Sequence, residues 1–587
     1  MSRRLSICLI NPRSQPSYWT WDFAVPFYGR GPRYSMANGA LVALAALAPP
    51  GHEVVVVDEN VEDIDFDGLR RFDVIGVTGM VVQAERMREI LRRLRGLPAV
   101  VVAGGPFVTL SEETFEGLCD VRFVGEAEET WPAFLDALAS GAPTEARYEQ
   151  AEKTDMTRVP VPRYDLLKPG RYVTAPVQFS RGCPFLCEFC DIITIFGRRP
   201  RVKRPEQVLA ELDALTAEGF KSCFLVDDNF IGNKVEAKKL LRRVIEWQEA
   251  RGYPLTFTTE ASVNLADDRE LIDLMLRANV LEVFVGIETP RKASLAETRK
   301  HQNVHGDSLL AKLGRIRAGG LNVTGGFIVG FDNDDERIFD EQFEFIQASG
   351  IANLSISLLT PLPKTPLHDR LRAEGRLDYA DPELIFVPKQ MTREQLKAGF
   401  RELLNRVFDV DAYFERVFAG HAALLASRRA LSGGTAGPRR PTLKQRLRRA
   451  AGAAAYAFKF ALLTPGQGRL SRHLRVCADG PRRNAAAAAR AAKLAFEMAR
   501  KGELSRHLRA CRRVLRMNAA LGGDALGLEA LVDRWISYWH FASVTRRLNG
   551  TRFGIVPQAS LSPEPARPGR RTERAREFPG TGTYGRE

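Results

Sequence analysis

The chain has 587 residues, of which 45% are hydrophobic and 27% are charged, and its formal net charge is +14. This length and balance exclude a fibrous or wholly disordered protein and predict about three or four domains with separate cores. The eight cysteines show no paired framework of the kind found in small secreted domains, so we expect a reducing compartment, the cytoplasm.

The basic charge belongs to the C-terminal part of the chain alone. From His421 onward there are 33 Lys and Arg against 10 Asp and Glu, whereas the preceding part is net acidic. Such a region suits an anionic membrane surface or nucleic acid. It equally suits a solvated, arginine-rich helical face, and the sequence leaves this choice open.

The first predicted domain, residues 1–145, alternates short apolar runs with helical stretches such as Ala84–Arg95. Continuous Val- and Ile-rich runs predict a Rossmann-like parallel sheet covered on both faces. The predicted strands are Leu5–Ile10, Glu53–Asp58, Val74–Thr78, Val100–Ala103 and Val121–Val124. In such a sheet the ligand lies against loops at the carboxyl ends of the strands. The candidate binding residues there are Thr78, Gly79, Gly104, Gly105, Gly125 and Glu126.

Two features flank the first predicted strand. The run Leu5–Ile10 is too short for the apolar region of an export signal and ends in Asn11-Pro12, so we interpret it as a strand. An aromatic stretch follows, and it either caps a bound ligand or packs between domains. Its members are Tyr18, Trp19, Trp21, Phe23, Phe27 and Tyr28.

The second predicted domain, residues 165–370, repeats a strand-then-helix unit, which predicts an α/β fold with a partial (β/α)6 TIM-type barrel. The predicted strands are Val177–Ser180, Cys223–Val226, Leu255–Thr259, Glu282–Ile287, Val323–Val329 and Leu354–Leu359. Function in such barrels lies at the carboxyl ends of the strands. The candidate residues at these ends are Asp228, Glu260, Glu288, Gly326 and Ile328. A carboxylate at a strand end can instead cap the next helix.

Three cysteines follow the first barrel strand. Within Arg181–Asp191, three residues separate Cys183 from Cys187 and two separate Cys187 from Cys190. Thiolates at this spacing can hold three corners of a cubic 4Fe-4S cluster and leave the fourth iron free of protein. A ferredoxin would supply a fourth cysteine in a predictable run, and a zinc site a fourth Cys or His nearby. Because the next cysteine, Cys223, lies in an apolar strand pattern, zinc is the weaker alternative.

The cysteine loop resembles the cluster loop of radical S-adenosylmethionine (SAM) enzymes. This resemblance implies that Cys183, Cys187 and Cys190 bind the cluster and are catalytic through it, and that SAM chelates the open iron. It also implies that Phe189 packs near the adenine of SAM, and that the strand-end candidates Asp228, Glu260, Glu288, Gly326 and Ile328 contact SAM. The barrel also resembles the methylase branch of cobalamin-dependent radical SAM enzymes. The segments that carry this resemblance are Arg181–Gly197, Val226–Gly232, Phe257–Leu265, Val285–Pro290, Gln302-Asn303, Gly325–Asp332 and Pro361–Pro366.

A Rossmann-like domain directly before such a barrel resembles the cobalamin-binding radical SAM proteins, in particular the methylase branch that includes the hopanoid C-2 methylase type. The resemblance implies that the glycine-bearing loops of residues 1–145 bind cobalamin. The usual Asp-x-His-x-x-Gly motif is absent, since the loop after the first strand begins Asn11-Pro12-Arg13. Many members of the family also lack this motif and leave the lower face of cobalt without a histidine, and the sequence leaves that face open here. A generic nucleotide-binding domain is the alternative.

Three further segments follow the barrel. Residues 371–430 have helical spacing in Met391–Val410 and resemble the domain of uncharacterised function that follows the barrel in this branch. Residues 440–555 form a basic, Ala/Arg-rich helical region, and residues 556–587 have the composition of a disordered tail. The apolar run Ala450–Leu463 is too short to span a bilayer, but arginines precede it, so peripheral contact with the inner membrane face is one prediction.

The resemblance implies methyl transfer from SAM, through cobalamin and a deoxyadenosyl radical, to an unactivated carbon of a lipid, terpenoid or other small molecule. A flavodoxin or ferredoxin would supply electrons. The same cofactors serve cyclisation, ring rearrangement and oxidation in other enzymes, and these remain alternatives. An RNA-binding or RNA-modifying protein is a further alternative, although the sequence has no RNP-like aromatic strand or zinc-finger spacing.

Overall fold

The computed structural model describes residues 3–27, 31–381, 383–431 and 528–550. The strands of this part are β1 (Ser6–Asn11), β2 (Tyr34–Met36), β3 (Glu53–Asp58), β4 (Val74–Thr78), β5 (Val100–Gly104), β6 (Val121–Val124), β7 (Arg147–Glu149), β8 (Tyr172–Val177), β9 (Ser180–Arg181), β10 (Arg201–Val202), β11 (Ser222–Leu225), β12 (Thr256–Glu260), β13 (Val280–Glu288), β14 (Asn322–Val329) and β15 (Leu354–Leu358). The α-helices are α1 (Gly39–Leu47), α2 (Ala84–Leu94), α3 (Pro106–Leu110), α4 (Thr130–Ser140), α5 (Ile192–Ile195), α6 (Pro205–Ala217), α7 (Lys234–Arg251), α8 (Arg269–Arg277), α9 (Lys292–Glu297), α10 (His301–Val304), α11 (Leu309–Ala318), α12 (Ile338–Ser349), α13 (Pro366–Ala373), α14 (Arg393–Val407), α15 (Val410–Leu431) and α16 (Leu528–Gly550).

The first sheet has the strand order β3-β1-β4-β5-β6-β7, and all of its pairs are parallel. The apolar runs β1 and β4 are buried almost throughout because helices cover both faces. The chain adds β3 on one side of β1 and then β4 on the other side, so the order in which strands are added reverses between β1 and β4. In a doubly wound sheet the ligand crevice lies at such a reversal, at the carboxyl ends of the strands. All five strands predicted for this domain are present.

The second sheet is also parallel, with the order β15-β14-β13-β12-β11-β8-β2. Its strands alternate with α6, α7, α8, α11 and α12, which confirms the predicted α/β fold with a partial barrel. Five of the six predicted barrel strands agree with the structure to within a residue or two at each end. The unpredicted strand β2 comes from the N-terminal segment, where Tyr34 pairs with Tyr172 and Met36 with Thr174.

The first barrel strand differs from the prediction. We expect it at Val177–Ser180, but β8 ends at Val177 and a separate short strand, β9, follows. The cause is Asp227, whose Oδ1 accepts hydrogen bonds from the backbone N–H groups of Phe179 (2.7 Å) and Ser180 (3.1 Å). These amides are therefore directed away from the ladder of the sheet.

Helix α16 packs onto the aromatic stretch that follows β1. His540 stacks on Trp21 with ring centroids 5.1 Å apart, and the Tyr18 hydroxyl lies 3.1 Å from Thr545 Oγ1. Phe541 stacks on Phe408 at 5.2 Å. Tyr18 and Trp21 therefore pack between segments, which was one of the two expectations for this stretch. The predicted member Tyr28 lies outside the described residues.

Trp19 behaves differently from its neighbours in the aromatic stretch. Its side chain is 48% exposed, and its ring meets Phe284 of β13 edge-on at 4.5 Å. The same stretch thus has members buried beneath α16 and one member exposed beside the barrel sheet.

Most of the basic C-terminal region lies outside the described residues. This applies to the apolar run Ala450–Leu463, to most of the predicted helical region 440–555 and to the predicted tail 556–587. Among the residues that the structure describes, no helix is long and apolar enough to cross a membrane.

The packing of α16 makes a stability prediction. Phe541 is 2% exposed and contacts Tyr18, Phe408 and Trp21. Truncation of such a phenylalanine leaves a cavity, so Phe541→Ala should lower the free energy of unfolding by about 3–5 kcal/mol. Thermal and urea unfolding of the full chain measure this change. Leu281→Ala, at a 36% exposed position, is the control, and equal effects of the two substitutions would contradict the packing of α16.

Candidate active site

The cysteine loop, residues 182–200, is closed at its base. Its two ends are β9 and β10, which pair as an antiparallel ribbon, and the Cys183 N–H donates to the Gly197 carbonyl at 3.2 Å. Gly182 has a φ of +94°, and a Cβ there would lie 2.9 Å from the Gly197 carbonyl oxygen and 3.0 Å from that of Arg199. Only glycine fits this base without displacing backbone.

The three thiols lie in a largely buried environment. Cys187 is buried, Cys183 and Cys190 are half-buried, and burial raises the pKa of both Cys183 and Cys190. A raised pKa favours the protonated thiol. Coordinated iron would favour the thiolate instead, because a metal deprotonates the thiol that binds it. The described residues contain no group of three His, Cys, Asp or Glu side chains arranged around one metal ion. A cubane needs no such group, since each cysteine binds a different iron.

Amide groups point at two of the three sulfurs. Asn229 Nδ2 lies 3.9 Å from Cys183 Sγ, and Gln302 Nε2 lies 3.5 Å from Cys187 Sγ. The other amide atom of Gln302, Oε1, is buried and has no hydrogen-bond partner among the described residues. Donors to sulfur stabilise thiolates, so the loop fits an iron-sulfur cluster.

Three carboxylates stand beside the loop at the ends of β11 and β12. Burial raises the pKa of Glu260 to about 8, and the negative charges of Asp228 and Asp227 add to this effect. Burial likewise raises the pKa of Asp227 to about 7 and that of Asp228 to about 6. Asp228 Oδ2 accepts from the Gly182 N–H at 2.8 Å instead of capping a helix. A cationic ligand would relieve the repulsion among these groups.

A buried ion pair also borders the loop, beside Phe189. Glu288 pairs with Lys300, whose Nζ lies 5.7 Å from the ring centroid of Phe189. Burial lowers the pKa of Lys300, but the negative charges of Glu288, Cys187 and Cys190 outweigh it, so that the pKa is raised and the amine keeps its charge. Sequence analysis missed Lys300, because a single lysine between two short helices carries no pattern.

Gly326 and Ile328 lie on β14, beside β13. A Cβ at Gly326 would lie 2.6 Å from the ring of Phe284, the residue that Trp19 contacts. The absence of a side chain at Gly326 therefore makes room for an aromatic ring of the protein. Ile328 is half-buried and pairs with Ser357 of β15.

The predicted glycine-bearing loops of the first sheet come together at its carboxyl edge. Gly105 has a φ of +99°, and a Cβ there would lie 2.3 Å from Thr78 Oγ1 and 3.2 Å from the Gly79 N. Gly104, which ends β5, would place a Cβ 3.4 Å from that of Phe123. Gly105 therefore lets the loop after β5 approach the loop after β4, whereas the contact at Gly104 is an ordinary one.

Gly125 differs from the other glycines of this edge. Its φ is +74°, and a Cβ there would meet nothing within 4 Å. The nearby Met80, in the loop after β4, is 55% exposed. Polar groups line the reversal between β1 and β4, where Gln83 Nε2 donates to Asn11 Oδ1 at 3.0 Å. An open edge with apolar and amide surface fits a large, flat, polar-edged cofactor such as cobalamin.

Glu126 connects the two groups of predicted site residues. Its carboxylate pairs with Arg181 at 2.8 Å and with Arg201 at 3.0 Å, at the base of the cysteine loop. The structure thus assembles Cys183, Cys187, Cys190, Phe189, Asp228, Glu260 and Glu288 at one sheet, and Thr78, Gly79, Gly104, Gly105 and Gly125 at the other. Glu126 lies between the two groups.

Family models match three parts of the chain. Residues 33–135 match the B12 binding domain, residues 177–346 the radical SAM superfamily, and residues 365–446 the domain of unknown function DUF4070.

Two curated relatives match more than half of the chain. The chain is 41% identical over 371 residues to an uncharacterised methyltransferase from Synechocystis sp., a match that covers 63% of this chain and 68% of the relative. It is 34% identical over 419 residues to the hopanoid C-2 methylase of Rhodopseudomonas palustris, with 71% and 79% of the two chains covered. Among solved structures, the radical SAM methyltransferase TsrM from Kitasatospora setae, with cobalamin and a [4Fe-4S] cluster bound, shares the fold. Its TM-score is 0.54, its identity 19%, and the match covers 73% of this chain and 89% of that chain.

These observations define an enzyme with a cobalamin-binding domain followed by a radical SAM half-barrel. The chain belongs to the cobalamin-dependent radical SAM methyltransferase family. The predictions of an enzyme, of this fold and of a 4Fe-4S cluster, SAM and cobalamin as cofactors are confirmed at the level of the family.

The tight base of the cysteine loop makes a prediction about cluster content. Gly182→Ala forces a Cβ against two carbonyl oxygens at a positive φ, which should open the base and lower iron and sulfide per chain after anaerobic reconstitution. Gly197→Ala is the matched control, since Gly197 has a φ of +81° but open space around it. Equal losses in the two variants would show that backbone strain, and not the close approach, matters at Gly182.

Proposed function

We propose that this chain transfers a methyl group to an unactivated carbon of an apolar small molecule, with the lipid and terpenoid class as the first candidate. In this proposal Cys183, Cys187 and Cys190 hold the 4Fe-4S cluster, and the open edge of the first sheet holds cobalamin. The observation that carries the proposal is the closed cysteine loop, which lies between three carboxylates and the Glu288–Lys300 ion pair. The domain boundaries 1–145, 165–370 and 371–430 belong to the proposal, and the family-model matches support them.

When bound, the cluster, SAM and cobalamin supply hydrogen abstraction and methyl transfer, which amino-acid side chains cannot perform. The protein's own part is to bind and align. Asp228 and Glu260 provide acceptors and negative charge for the ammonium group of SAM, and the ring of Phe189 provides an apolar surface beside it. The raised pKa of Glu260 supports this role, because the group is poised to ionise when a cation binds.

Lys300 and Gln302 act on the other side of the loop. The ammonium group of Lys300 and the amide of Gln302 lie beside the thiol-bearing segment, and both are buried. A buried positive charge and an N–H donor to Cys187 Sγ would offset part of the negative charge that thiolate ligands of a bound cluster carry. Glu288 holds Lys300 in place through their ion pair.

The substrate class rests on two observations. The hopanoid C-2 methylase shares 34% identity across 71% of this chain. The half-exposed ring of Trp19 stands on Phe284 of the barrel sheet and offers aromatic surface to an apolar molecule. A reduced flavodoxin or ferredoxin as electron donor, a cytoplasmic location and peripheral contact with the inner membrane face through the basic C-terminal region complete the proposal.

Loss of one cysteine tests the cluster assignment. Cys187→Ala should lose the broad iron-sulfur absorbance near about 400 nm after anaerobic reconstitution, because three thiolates are needed to hold the cluster. SAM cleavage should be lost as well, whereas the corrin bands of added hydroxocobalamin should be retained. Cys119→Ala, at a half-buried cysteine of the first domain, is the control. If the Cys187→Ala variant still cleaved SAM, the assignment of the cluster to this loop would be wrong.

Product mass tests methyl transfer and the substrate class. The reconstituted protein, incubated anaerobically with a low-potential reductant, methyl-deuterated SAM and a bacterial lipid extract, should yield a lipid heavier by one labelled methyl group. Cleavage of SAM with a product that lacks the added methyl group would favour cyclisation, rearrangement or oxidation. Labelling in the water-soluble fraction alone would overturn the lipid class while keeping methyl transfer.

A further inference from the structure

The base of the cysteine loop carries two like charges that face each other. Arg181 on β9 and Arg201 on β10 are direct partners across the antiparallel ribbon. Their side chains are only 14% and 15% exposed, so solvent does little to screen them. Like charges at opposed positions destabilise a pair of strands. Repulsion between the two arginines therefore disfavours the pairing of β9 with β10 unless other groups neutralise the two positive charges.

The neutralising groups come from the first domain. Glu126 and Glu128, in the loop after β6, contribute two carboxylates to the two guanidinium groups. Glu126 Oε1 lies 2.8 Å from Arg181 Nη1 and 3.0 Å from Arg201 Nη1, and Glu128 Oε1 lies 2.6 Å from Arg181 Nη1. The carboxylate of Glu126 is 1% exposed. We call these four side chains the interdomain ion-pair cluster.

Among the described residues, the other hydrogen-bond partners of the two arginines are neutral, and Asp228 adds a negative charge that acts on both guanidinium groups without an ion pair to either. Arg181 Nε donates to Gln178 Oε1 at 2.8 Å. Arg201 donates to the carbonyl oxygens of Thr154 (2.6 Å) and Phe196 (3.1 Å). These bonds satisfy donors but leave the positive charges in place. Among the described residues, the ion pairs of Arg181 and Arg201 are those with Glu126 and Glu128.

We propose that Glu126 and Glu128 are positioning residues for the iron-sulfur site, because their charges allow the β9–β10 ribbon to close around residues 182–200. This inference rests on the proposed assignment of the cluster to Cys183, Cys187 and Cys190. It gives Glu126 a role in the cysteine loop in place of the cobalamin contact that its position after β6 predicts. Retention of the cluster then depends on the docked cobalamin-binding domain.

Cluster stability in charge variants of the full chain tests the proposal. Glu126→Gln leaves the buried Arg201 without an ion-pair partner among the described residues, so iron release to a chelator from the reconstituted protein should become about tenfold faster or more. Glu126→Gln combined with Arg201→Gln keeps the Glu128–Arg181 pair and removes the opposed charge, so its rate should return most of the way to that of the wild type. Asp381→Asn, in the half-buried ion pair with Lys397, is the control for removal of a carboxylate elsewhere in the chain.

Trypsin gives a second readout that needs no cofactor. Arg198 is exposed in the cysteine loop, and opening of the ribbon should speed cleavage after it in the full-length protein without cluster. Glu126→Gln should be cut faster than the wild type, and the double variant should again approach the wild type. This pattern distinguishes charge balance from a general loss of stability, which would make the double variant worse than the single one.

Three outcomes would overturn the proposal. They are an unchanged iron-release rate and cleavage rate in Glu126→Gln, the absence of rescue in the double variant, and loss of bound cobalamin with the cluster retained, which would make Glu126 a cobalamin contact. If the wild type itself holds no cluster under these conditions, the proposed function fails, and the cleavage rates alone decide whether the two carboxylates close the loop.

Discussion

The contact between the carboxyl edges of the two parallel sheets depends on buried charge. Burying an arginine destabilises the folded state unless a carboxylate pairs with it. Removal of one partner of a buried pair destabilises the fold by more than the intact pair stabilises it. The interdomain ion-pair cluster meets this condition with two positive and two negative groups. Further bonds join the two domains, where the Tyr172 hydroxyl, at the start of β8, donates to Asp58 Oδ2 at 3.0 Å and Lys364 Nζ donates to the Thr109 carbonyl at 2.6 Å. Charge complementarity of this kind selects one relative position of the two sheets.

The chemistry on either side of the cysteine loop follows from the same constraint. Burial raises the pKa values of Glu260, Asp227 and Asp228, and repulsion from neighbouring carboxylates adds to this effect. Lys300 is the buried amine beside the loop, and Glu288 already engages it. The site therefore favours incoming cations, both the iron of a cluster and the ammonium and sulfonium groups of SAM. Binding of a cationic ligand would offset the unfavourable free energy of holding these carboxylates close together in a buried site.

Sequence alone predicts those parts of this architecture that are local. Continuous apolar runs define the strands of both sheets, and the three cysteines lie within eight residues of one another, so their spacing is visible directly. Strand β2 is missed because three residues are too few to show a period. The end of β8 at Val177 depends on Asp227, which is distant in sequence, and the packing of α16 on Tyr18 joins opposite ends of the chain. Neither contact leaves a pattern in a local window.

The same distinction explains why Glu126 and the glycines were given cofactor contacts. A glycine or carboxylate at the carboxyl end of a parallel strand is correctly assigned to the ligand edge, but its immediate neighbour depends on tertiary packing. At Gly105 the free space is taken by Thr78, at Gly326 by Phe284, and at Glu126 the partner is Arg181, whereas the space at Gly125 is open. At Gly105, Gly326 and Glu126, protein segments therefore meet one another at the predicted ligand edges. Such contacts hold the binding edges in place before any cofactor arrives, which is the preorganisation that radical chemistry requires.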